Sequence, residues 1–257
     1  MEMKNSAARL HSILQAAASA AGKRTVTDLW VDVFQIDASK YANVQMEVAQ
    51  RLIWLSAEAE ALVAYLRDDR KQPEKAYAPI HNAVWHAGSM TLLAAQPGSV
   101  QQRITPDVLA TLFSHSLYLP DEEVAISKEN LEMLEQLLTS LESLAKDASI
   151  GAYLDDVLKR HIRLLRRAID AYPIWGIRAF ADSLRDALGD LFMVGEYQKR
   201  GGANASPSNA EQSVYEQLCG LWRKVSTVAG EVDKVRKVGL LGYYGYEAVE
   251  RFLHHQS

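Results

Sequence analysis

SKENLEMLEQLLTSLESLAKDASIGAYLDDVLKRHIRLLRRAIDAY, residues 127–172, carries the clearest architectural signal in the chain. Leu131, Leu134, Leu138 and Leu141 recur at 3-4-3 spacing, and Leu154, Leu158, His161, Leu165, Ala168 and Tyr172 continue it. Apolar residues three and four apart form one face of an α-helix. A turn of a few residues separates the two runs, so they are expected to fold back as an antiparallel hairpin. Charge supports this pairing: residues 121–147 carry net −6 and residues 151–178 net +3.

The same periodicity extends in both directions. Upstream, Leu10, Ile13, Leu14 and Ala17 mark a first helix over about 6–21. A short second helix follows, with Thr27 as its N-cap ahead of Leu29, Trp30 and Phe34. A long third helix runs from Ser39 to about Asp68 on Val44, Val48, Leu52, Leu55, Ala59, Leu62 and Leu66. Opposite lies a second apolar strip, Met46, Ile53, Ala57 and Ala64. A surface helix needs only one stripe, so this one is expected to be central or part of an interface. Helices over about 79–95 and 105–118 follow, the latter opened by Thr105-Pro106-Asp107 as cap, first-turn proline and first-turn acid.

Downstream, Pro173 is expected to open an eighth helix to about Val194. Lys199–Asn209 reads as the one clear linker. Beyond it Val214, Leu218, Leu221, Val225, Val228, Val232 and Val235 alternate 4-3 over three heptads. The sequence therefore predicts an all-α, irregular multi-helix bundle of about eight to ten helices with a long heptad-patterned helix near the C-terminus. The expected division is a bundle over 1–198, then a heptad helix and short terminal helix over 210–257 packed on the same core, with a single domain as the alternative.

Composition agrees: 35 Ala and 31 Leu, the best apolar helix formers, make up about a quarter of 257 residues. Only 14 Gly and 7 Pro interrupt them, which excludes collagen-like and disordered chains. The net charge of −4 supplies no bulk cationic field toward nucleic acid or anionic lipid. One cysteine, Cys219, permits no internal disulfide, which fits a cytoplasmic location. Arg9, His11, Ser12 and Gln15 break any signal-peptide core, and no apolar run of about 18 residues exists to span a membrane.

Few residues offer chemistry. His161 falls within an apolar stripe, so it is expected in the core, the setting of a catalytic base or of a satisfied structural histidine. His81 and His86 are candidate metal ligands, but five residues place them about 140° apart around a helix. No H-E-x-x-H, cysteine cluster, nucleophile elbow or phosphate loop is present, and no cofactor is expected. Asp182, Asp186 and Asp190 step by four and read as a solvated face beside Arg178 and Arg185. Lys159, Arg160, Arg163, Arg166 and Arg167 gather on one helix side. Lys159, Arg163, Arg166 and Arg167 form the candidate anion-binding set, for phosphate or nucleic acid. Gly239, Gly242 and Gly245 are flanked by Tyr243 and Tyr244, a candidate docking corner.

The expected function is accordingly a non-enzymatic interaction protein: an adaptor, regulator or accessory subunit, as multi-protein systems such as bacterial defence or toxin control employ. Its expected contact residues are Met46, Ile53, Ala57, Val225, Val228, Val232, Tyr243 and Tyr244, toward a protein partner or a second copy. The alternatives are phosphate or nucleic-acid binding through the 159–167 face and a helical enzyme built on His161, or on His81 and His86, with acids from other helices.

Overall fold

The structure, a computed structural model, describes residues 5–89, 93–121, 126–146, 151–201 and 209–233, with 195–201, 209–211 and 229–233 as backbone only. The protein is all-α, and the described residues form no strand. The helices are α1 (Ser6–Ser19), α2 (Val26–Val33), α3 (Val44–Ala64), α4 (Ala78–Ala87), α5 (Gly98–Gln101), α6 (Pro106–Tyr118), α7 (Lys128–Leu144), α8 (Ala152–Trp175), α9 (Arg178–Gly201) and α10 (Asn209–Asp233). No described helix is long and apolar enough to cross a membrane.

The chain divides into two compact units. The first comprises Met1–Glu122 and Pro173–Gly176, the second Glu123–Tyr172 and Ile177–Ser257. The linker at 199–209 lies within the second unit. The apolar face of α9 (Leu184, Ala187, Leu191) and that of α10 (Val214, Leu218, Trp222) are buried in one common core. A linker between two helices that share a core does not separate domains.

In the first unit, Leu10, Leu14, Leu29, Trp30, Leu52, Leu55, Ile80 and Leu112 are fully buried. Asn5 caps α1 by accepting from Ala8 N at 3.0 Å, while its amide Nδ2 donates to Ser116 O of α6 at 3.1 Å. One side chain thus ends one helix and fastens it to another. Arg9 and Glu58, each almost wholly buried, pair at 2.7 Å between α1 and α3. Arg9 Nε also donates to Ile174 O at 2.9 Å. Trp175 Nε1 donates to Trp54 O at 3.1 Å, and the two indoles lie 5.6 Å apart.

In the second unit, Leu134 and Leu141 of α7 are buried with Leu158 and Leu165 of α8, Phe180 of α9 and Trp222 of α10. Arg166 of α8 pairs with Glu142 of α7, so the charge complementarity of these helices is realised in a direct ion pair. Tyr172 Oη accepts from Ile126 N at 2.7 Å.

Several boundaries depart from expectation for identifiable reasons. α2 is capped by Thr25, not Thr27: Thr25 and Asp28 form a reciprocal capping box. Backbone groups of the α4–α5 connection satisfy the next amides, Val26 N to Ala95 O at 2.9 Å and Thr27 N to Leu93 O at 3.1 Å. α3 begins at Val44, because Asn43 accepts from Met46 N and so competes with continuation of the helix backward. α4 ends at Ala87. Gly88 packs so closely on α3 that an added Cβ would stand 3.0 Å from Ser56 Oγ. Pro173 does not open a helix but lies in the last turn of α8. The chain breaks at Gly176, whose φ of 60° is left-handed and sterically free only for glycine.

Candidate functional site

His161 is fully buried in the second unit. Its neighbours come from two other helices. Trp222 of α10 donates its indole Nε1–H to His161 Nδ1 at 2.7 Å, with the rings edge-on at 5.9 Å. On the other side, Asp190 Oδ2 of α9 stands 3.9 Å from His161 Nε2, too far for a hydrogen bond, and neither atom has a hydrogen-bond partner among the described residues. Arg160 Nε lies 2.9 Å from the same Asp190 oxygen as an ion pair.

This geometry assigns the histidine's protons. An indole N–H can only donate, so Nδ1 must present its lone pair, and the neutral ring then carries its hydrogen on Nε2. Burial, with Arg160's charge second, pulls the His161 pKa down to about 4. Burial pushes the Asp190 carboxyl above the usual carboxylate range, Arg160 opposes this, and Asp186 adds to it. The arrangement gives His161 one engaged acceptor and one idle donor. A general base or a metal ligand needs a free lone pair, which Trp222 occupies at Nδ1 and the proton excludes at Nε2.

Sequence reasoning placed His161 in the core but missed both partners. Spacing by four groups Asp190 with Asp182 and Asp186 on a solvated face, yet in the structure its side chain is mostly shielded. A four-residue step drifts about 40° around a helix, so two steps carry Asp190 about 80° from Asp182. That puts it on the side of Ala187 and Val194, three before and four after it, both buried. Trp222 follows core position Leu221 and stands four residues beyond Leu218, so its burial was legible while its hydrogen bond was not. Cys219 is buried, and burial raises its thiol pKa, which makes it a poor nucleophile.

The candidate anion face is largely paired within the protein. Lys159 bonds Asp155 at 2.6 Å, Arg160 meets Asp190, and Arg166 meets Glu142. Arg163 and Arg167 are exposed, and Arg167 has an interaction of its own. His81 and His86 are both exposed on α4, and His81 stacks on Trp85 at 6.2 Å. Among the described residues no three His, Cys, Asp or Glu side chains gather as a metal site.

The expected contact residues separate into two groups. Val225 and Val228 are buried in the core of their own unit, as are Val214, Leu218 and Leu221. They are interior residues rather than an open seam, because the faces of α7, α8 and α9 already cover them. Val232 is described as backbone only, and Val235, Tyr243, Tyr244 and Gly239–Gly245 lie outside the described residues. On α3, by contrast, Met46 is 65% exposed, Ile53 50% exposed, and Ala57 also faces solvent. An open groove of about 810 Å³ lies elsewhere in the first unit, lined by residues 18–24, 96–98 and 101, with Lys23 at its edge held by Asp32 at 2.9 Å. No family model, curated protein or solved structure matches this chain.

Proposed function

We propose that this protein is a non-enzymatic helical interaction protein, an adaptor, regulator or accessory subunit that docks through the outer face of α3. The observation that carries the reading is the two-sided character of that helix. Val48, Leu52, Leu55, Ala59 and Leu62 are buried in the first unit, while Met46, Ile53 and Ala57 stand in solvent on another side. Full burial of a Met or Ile side chain is worth about 1.5–3 kcal/mol, so covering the exposed part of these two contributes roughly 2–3 kcal/mol to an association. Apolar anchors spaced by seven and four on one helix suit contact with a groove or a second helix. The first unit also exposes Trp85, Phe113, Leu117 and Tyr118.

The test places a photo-crosslinking residue at position 53 in the producing cell, with exposed position 15 on α1 as control, and compares wild type with Met46→Glu/Ile53→Glu. The expected result is a discrete crosslinked species at 53, absent at 15 and lost in the double variant, whose melting temperature stays within a few degrees of wild type. Equal crosslinking at 53 and 15, together with a monomeric mass at every concentration in light scattering, overturns the reading.

A further inference from the structure

We propose that His161 is an acid-operated latch in the second unit: it holds Trp222 only while Nδ1 is bare, and protonation there releases the indole and loosens α10 from α8. The inference is independent of the docking role of α3. It starts from a conflict of donors. The Trp222 Nε1–H points at Nδ1 from 2.7 Å. A proton added to the ring can go only to Nδ1, since Nε2 already carries one. Two donors would then face each other inside a fully buried contact, so the hydrogen bond cannot survive protonation in any form.

The displaced partner is not a minor one. Trp222 is among the largest fully buried side chains, and Leu218, Leu221 and Val225 of the same helix are buried with it. Close-packed interiors do not let one indole move alone, so its release disturbs the α10 face as a whole. The ring, meanwhile, has a second partner at hand. Asp190 Oδ2 is 3.9 Å from Nε2 without a hydrogen bond, so a movement of about 1 Å brings an imidazolium onto a carboxylate. The node therefore offers two arrangements: a neutral ring bonded to Trp222, and a charged ring bonded to Asp190.

The titratable and charged groups around the ring are few among the described residues. Arg160 comes from α8 itself, and Asp190 comes from α9 with Asp186 behind it. On α10, Tyr215 and Cys219 are held toward their neutral forms by burial and do not titrate in acid. Of these groups, Asp190 is the competitor for an acid response. Its carboxyl is shifted upward in the folded protein, so its protonation favours the folded state on acidification, the opposite sign to His161.

The experiment records imidazole and indole nitrogen spectra of the full chain between pH 7.5 and 4. His161→Gln assigns the histidine, and Trp222→Phe assigns the indole. At neutral pH the expected His161 signals are a bare Nδ1 and a protonated Nε2. On acidification the Trp222 indole signal shifts or disappears together with Nδ1 protonation. In His161→Gln the indole signal stays unmoved over the same range, which excludes Asp190 as the source of the transition. A protonated Nδ1 at neutral pH, an indole signal that persists after Nδ1 is protonated, or an indole transition retained in His161→Gln overturns the proposal. Should the His161→Gln variant fail to fold, the first two readouts on the wild-type protein still decide it.

Discussion

Glu58→Leu removes the carboxylate of a buried ion pair, and its cost follows from the geometry. Arg9 and Glu58 side chains are 4% and 1% exposed and meet at 2.7 Å. Leucine at 58 takes from the buried guanidinium the carboxylate it meets at 2.7 Å, a change that costs about 3–5 kcal/mol in comparable sites. Replacing both residues, as Arg9→Met/Glu58→Leu, removes both charges. It still deprives Ile174 O of the Arg9 Nε donor at 2.9 Å, which costs about 1–3 kcal/mol. The double variant is therefore expected to be more stable than the single one by roughly 2 kcal/mol. Denaturant unfolding followed by tryptophan emission suits the question, because Trp30, Trp54, Trp85 and Trp175 all belong to the first unit. The midpoint of Glu58→Leu should fall furthest, with an unchanged denaturant slope. A double variant no more stable than Glu58→Leu refutes the reasoning, since loss of the carboxylate alone would then cost no more than loss of the pair.

Three further outcomes are expected. Gly88→Ala should lower stability by about 1–2 kcal/mol, as its Cβ would stand 3.0 Å from Ser56 Oγ and 3.1 Å from Val84 O; adding Ser56→Ala should recover part of this in thermal melts. Thr25→Ala should cost about 1 kcal/mol in chemical denaturation by opening the capping box with Asp28, and helix content by circular dichroism should fall only slightly. For His161, the folded pKa of about 4 lies below the unfolded value of 6.5, so its contribution is complete above about pH 6.5 and is lost as pH falls toward 4. The loss is on the order of 3 kcal/mol, and denaturation curves at pH 7 and 4.5 should show most of it in wild type and none of that component in His161→Gln.

Helix content and the faces of individual helices were legible because each depends on residues within a few positions of one another. The stripes through Leu52 and Leu55, Leu134 and Leu141, and Val214 and Leu218 are all buried as the 3.6-residue period requires. Helix ends were less legible. Thr25 and Thr27 are both capable caps, and the choice fell to Asp28 three residues after Thr25. At Pro173 the proline suggested a start, whereas the backbone turned at Gly176. Composition marks a linker at 199–209 but does not report which helices share a core, and α9 and α10 on either side of it do.

The chain's own order of residues determined that this protein is helical, which face of each helix is apolar, and that His161 points inward, since local sterics and the period of burial act over single turns. Tertiary structure alone decided what each buried polar group meets. His161 and Trp222 are 61 residues apart, and Arg9 and Glu58 are 49 apart. A buried polar atom must find a partner wherever packing places one, because leaving it unpaired costs more than the bond itself returns. That search runs across helices and leaves no periodic trace along any one of them. For the same reason Asp190 passed for a surface residue until α8 was set beside it, and the exposed strip of α3 became distinguishable from its buried stripe only once the first unit had closed on one side of the helix.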